Sequence, residues 1–88
     1  MDEDELSGLR ALAAGGDEDA VAQLVELAGE RGDLDELRRL AAAGSADALD
    51  VLVEVAGEQG NVDELRRLAE QGNQDAADLL AELGEDGA

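Results

Sequence analysis

The side chains of this 88-residue chain that could do chemistry are carboxylates, arginines and two serines, Ser7 and Ser45. With no His, Cys, Lys or Tyr, there is no partner to activate a nucleophile and no base tuned near neutrality. Ser45 reads as a helix cap, and neither catalysis nor a cofactor is expected. Asp17, Glu18 and Asp19 offer oxygen ligands, as does the acidic stretch 2–5, but no calcium-loop glycine or closing glutamate follows, so no metal site is expected. The 24 acids against 6 bases leave a net charge of −18. That excess repels phosphates and anionic lipid surfaces, which excludes nucleic acid and membrane as partners. What stands out is spacing. Asp47, Asp50, Glu54 and Glu58 fall at i, i+3, i+7 and i+11, one stripe of a helix, and Asp75, Asp78 and Glu82 and then Asp19, Glu26 and Glu30 follow the same register.

The element that positions these acids is a repeat. The heptapeptide DELRRLA stands at 35–41 and again at 63–69, an offset of 28 residues, and the same offset back from 33–60 finds a divergent copy at 5–32. Repeats 5–32, 33–60 and 61–88 follow an acidic lead-in, 1–4, within a single domain. A fixed period of this length marks units that bury their apolar faces on one another. Each copy holds two helical patterns punctuated by Gly followed by Asp, Ser or Asn, which is a helix stop and then an N-cap. Helices are expected to end near Ala14 and to run over about 18–29, 34–43, 46–58, 62–71 and 74–83, with a loose tail at 84–88. Asp33 with Glu36, and Asn61 with Glu64, read as capping boxes. Asp35 stands four before Arg39, and Asp63 four before Arg67, an order that supports an isolated helix.

The fold class is therefore all-α: three 28-residue repeats, six antiparallel helices, a short right-handed αα-hairpin solenoid. The alphabet suits it. Pro is missing, and the apolar set is almost wholly Leu, Val and Ala, with no aromatic residue. No apolar run approaches the ~18 residues of a membrane span, and the acidic start is the reverse of a signal peptide. A cytoplasmic chain is expected if the sequence is natural, and no location follows if it is designed.

Framed from its longer helix, 46–73 reads ADALDVLVEVAGEQGNVDELRRLAEQGN. This resembles a tetratricopeptide repeat: Leu49 at the large-residue position, Leu52 three later, Ala56, then the acidic glycine turn at 60–64. The closing AEQGN at 69–73, followed by Asp75, Ala76 and Leu79, looks like the Sel-like branch of that superfamily. The unit departs from the family in length, 28 against roughly 34 residues, and in carrying Leu49, Val53 and Ala69 where bulky aromatics are usual. Copies this alike in so few residue types point to recent duplication or to a consensus-like design. The resemblance implies an interaction scaffold whose longer helices line a peptide groove. Carried over residue by residue, the groove positions are Asp19, Glu26, Glu30, Asp47, Asp50, Glu54, Glu58, Asp75, Asp78 and Glu82, so the implied partner is a basic peptide or protein segment. A scaffold without a ligand is the alternative. So is a self-assembling unit: Leu6, Leu9 and Leu12 present an apolar N-terminal face for a weak homodimer, while Ala77, Ala81 and Gly84 blunt the other end.

Overall fold

The computed structural model describes residues 3–84, and all secondary structure among them is helical. The helices are α1 (Glu3–Ala14), α2 (Glu18–Arg31), α3 (Leu34–Ala42), α4 (Ala46–Glu58), α5 (Val62–Glu70) and α6 (Gln74–Glu82). Residues 1–2 of the expected acidic lead-in and 85–88 of the expected loose tail lie outside the described residues, while residues 3–4 of the lead-in are the first turn of α1. The chain forms two compact units, Met1–Val51 and Leu52–Ala88, with α4 shared between them.

The helix joints follow one rule. At each, the amide of the residue after the turn glycine closes the helix behind, and that residue's side chain opens the helix ahead. The Asp33 amide donates to Ala28 O at 2.9 Å while its carboxylate accepts from the Glu36 amide at 3.1 Å. Asn61 does the same, donating to Ala56 O at 2.9 Å and accepting from the Glu64 amide at 3.1 Å. Asp17, Ser45 and Asn73 repeat the pair. The glycine before each takes the left-handed conformation that a Cβ would oppose, Gly32 at φ 66° and Gly60 at φ 64°.

This rule corrects the capping-box expectation. The reciprocal bond from Glu36 back to the Asp33 amide has no donor, because that amide already serves Ala28. The helix expected to end at Gly29 runs on to Arg31, since Gly29 sits inside it as a contact rather than a stop. An added Cβ there would lie 3.0 Å from Val51 Cγ1 of α4. One period on, within the second unit, a Cβ on Gly57 would lie 3.0 Å from Leu79 Cδ1 of α6.

The core follows the same period. In the first unit Ala20, Leu24, Leu37 and Ala48 are buried; in the second Leu52, Leu65, Ala76 and Leu80 take the corresponding positions. Each fully buried Leu contributes about 1.5–3 kcal/mol, and no ring is present to contribute more. In the first unit α2 packs on both α1 and α3; in the second α5 packs on α6. Leu37 and Leu40 of α3 are buried, while Leu34 and Ala41 are half-buried.

Candidate functional site

All ten stripe acids are exposed: Asp19, Glu26 and Glu30 on α2, Asp47, Asp50, Glu54 and Glu58 on α4, and Asp75, Asp78 and Glu82 on α6, which at nine residues is no longer than α3 or α5, against expectation. On α4 they lie opposite the buried stripe of Ala48, Leu52, Val55 and Ala56, as 3.6-residue periodicity requires. Among the described residues none of the ten takes part in an ion pair. Asp78 accepts a hydrogen bond from the Gln74 amide group at 3.0 Å, and the others have no side-chain partner among the described residues.

The arginines of α1, α3 and α5 are engaged elsewhere. Arg10 of α1 donates from Nη2 at 2.7 Å and from Nε at 2.8 Å to Glu36 Oε1 on α3, and Arg39 Nη2 stands 3.5 Å from the same oxygen. The Glu36 side chain is only 7% exposed. Arg38 pairs with Asp35, Arg66 with Asp63, and Arg67 with the buried Glu64. The expected i,i+4 pairs, Asp35 with Arg39 and Asp63 with Arg67, give way to i,i+3 pairs. The reason is burial: the walled-in carboxylates of Glu36 and Glu64 draw Arg39 and Arg67, which leaves Asp35 and Asp63 to Arg38 and Arg66.

In the first unit an open groove of about 750 Å³ runs between α1, α2, α3 and the start of α4. Glu36, Arg10 and Arg39 line it together with Val21, Leu24, Val25 and Leu40, and the turn residues Gly16, Gly44 and Ser45 complete it. Of the ten stripe acids only Asp47 reaches it. This concavity has no counterpart in the sequence reading, because its width comes from alanines and turn glycines that carry no pattern of their own. The buried Glu36 had one signal: Gly8 stands at its position in the first repeat, so the acid is dispensable there for the helix itself.

Among the described residues no three acids converge as a metal would require, and no helix is long and apolar enough to cross a membrane. Comparison with protein-family models, with characterised proteins and with solved structures finds no match. What the geometry presents is an exposed acidic face on α2, α4 and α6, while five of the six arginines lie on α1, α3 and α5 and the sixth, Arg31, ends α2.

Proposed function

We propose that the chain is a helical-repeat interaction module, its three repeats stacked as a short right-handed solenoid, whose acidic stripe takes a basic peptide or protein segment. The observation that carries this reading is the division of charge. The arginines of α1, α3 and α5 neutralise acids on α3 and α5, and the ten stripe carboxylates are left exposed and, among the described residues, without a cationic partner. A surface of one sign steers an oppositely charged segment and raises its on-rate. Support for stacking comes from the recurrence of one contact at one period, Gly29 against Val51 in the first unit and Gly57 against Leu79 in the second.

The test is fluorescence anisotropy of a labelled Arg-rich peptide at low ionic strength. Binding is expected to weaken steeply as salt rises, since exposed charges are screened beyond about 8–10 Å at physiological ionic strength. Reversing Asp50, Glu54 and Asp78 to Lys should abolish it, while the same charge change off the stripe, at Glu18, Asp63 and Glu70, should leave most of it. Equal loss from both triple variants would reduce the stripe to bulk charge and sink the proposal.

A further inference from the structure

The open groove of the first unit has apolar walls and two ends of opposite sign. The walls are Val21, Leu24 and Val25 of α2 with Leu40 of α3. One end is marked by Arg10, Glu36 and Arg39, since nothing earlier on α1 or α3 and nothing later on α2 than Val25 lines the groove. Both guanidiniums lie on the single oxygen Oε1 of Glu36, Arg10 at 2.7 Å and Arg39 at 3.5 Å. Two bases share one acid, so one positive charge is left over. The arginine side chains are 46% and 65% exposed, which keeps their other N–H groups open to a ligand.

The opposite end lies at the turns that join α1 to α2 and α3 to α4, where Glu18 and Asp47 are both exposed. Helix dipoles do not set the sign there. The carbonyl ends of α1 and α3 meet the amide ends of α2 and α4, and their partial charges offset. The two carboxylates therefore make this end negative. A simple anion is disfavoured, because the groove holds three acids against two arginines within a chain of net charge −18. A simple cation meets the arginine end. A zwitterion suits both ends, and the span sets its length. From Glu18 to Val25 the axis of α2 rises about 10 Å, and three extended residues also reach about 10 Å.

We infer that this groove binds a short apolar peptide with both termini free, about three residues long. Its carboxylate is taken by Arg10 and Arg39, its ammonium by Glu18 and Asp47, and its side chains by Val21, Leu24, Val25 and Leu40. A volume of about 750 Å³ is in the range of small-ligand sites, which are mostly apolar with a few polar groups that fix orientation. The site is separate from the acidic stripe, of which only Asp47 reaches the groove, so either binding activity can fail without the other.

The experiment is isothermal titration calorimetry of the full chain with the tripeptide alanyl-valyl-leucine, its N-acetyl form and its C-terminal amide. The free peptide is expected to bind at a single site with Kd below about 1 mM. Each blocked form should bind about tenfold more weakly, having lost one charged hydrogen-bonding terminus. A net charge of −18 acting in bulk would instead favour the amide, the one cation of the three, so the order of affinities separates the site from bulk charge. Arg39→Gln should weaken the free peptide about tenfold and leave the amide unchanged. Ala43→Trp, which fills the groove from an exposed position, should abolish binding of the free peptide. Circular dichroism at 222 nm checks that both variants keep their helices. No saturable binding of the free peptide would overturn the inference. So would an amide that binds as tightly as the free peptide, and so would binding that survives Ala43→Trp.

Discussion

Arg10 holds Glu36 across two helices by a single oxygen: Nη2 and Nε of the guanidinium both converge on Oε1, at 2.7 and 2.8 Å. The carboxylate is walled in, while the arginine keeps 46% of its side chain in solvent. Burial of one partner and exposure of the other make the pair asymmetric. Removing the arginine strands a desolvated charge, whereas removing the acid frees an arginine that water can receive.

Arg10→Ala is therefore expected to lower stability by about 1–2 kcal/mol, below the range for a fully buried pair because the guanidinium is half in water and Arg39 remains nearby. In a Glu36→Gln background the same substitution should cost much less. Urea denaturation of the four members of this cycle measures the coupling. Coupling indistinguishable from zero would show that the contact holds nothing together.

Gly29 and Gly57 are equivalent by period but are expected to respond differently to alanine. Each replacement gains about 0.5–1 kcal/mol of helix propensity. Each new Cβ also meets a methyl at 3.0 Å, Val51 Cγ1 for Gly29 and Leu79 Cδ1 for Gly57. A valine in a helix has essentially one χ1 rotamer, so its methyl cannot swing aside, while the far end of a leucine can. Gly57→Ala should raise the melting temperature, and Gly29→Ala should gain less or lose. Equal gains at both positions would contradict this account.

Salt is expected to stabilise the fold. Screening weakens the exposed ion pairs, each worth about 0–1 kcal/mol, but it also relieves self-repulsion from a net charge of −18. The repulsive pairs are far more numerous. Melting followed at 222 nm should move to higher temperature from low salt to roughly 0.5 M, where the Debye length falls well below 8 Å. A melting point that drops over this range would mean that the ion pairs outweigh the repulsion.

The helices, their order and their caps were legible because each is written locally. Asp17, Asp33, Ser45, Asn61 and Asn73 cap as their positions imply, through bonds that span three residues. The stripe acids were legible as an exposed face for the same reason. Features set by a neighbour were not. Glu36 looks like one more surface acid until α1 brings Arg10 to it from 26 residues away. Gly29 looks like a helix end until Val51 shows why it has no side chain. Leu6 and Leu12 were both expected on the open N-terminal face, yet they stand about 120° apart around a 3.6-residue helix, and one is buried while the other lies open.

The joint between helices, a glycine followed by Asp, Ser or Asn whose amide and side chain face opposite ways, has a consequence for how such a chain can change. Everything that ends one helix and starts the next is contained in two adjacent residues and the carbonyls just behind them. A gene cut and rejoined at any two equivalent joints, such as Gly32–Asp33 and Gly60–Asn61, would carry an intact boundary on both sides of the splice. Unequal crossing-over can then add or remove whole repeats without writing a new turn, so the length of the array is freer to vary than the sequence of any one repeat.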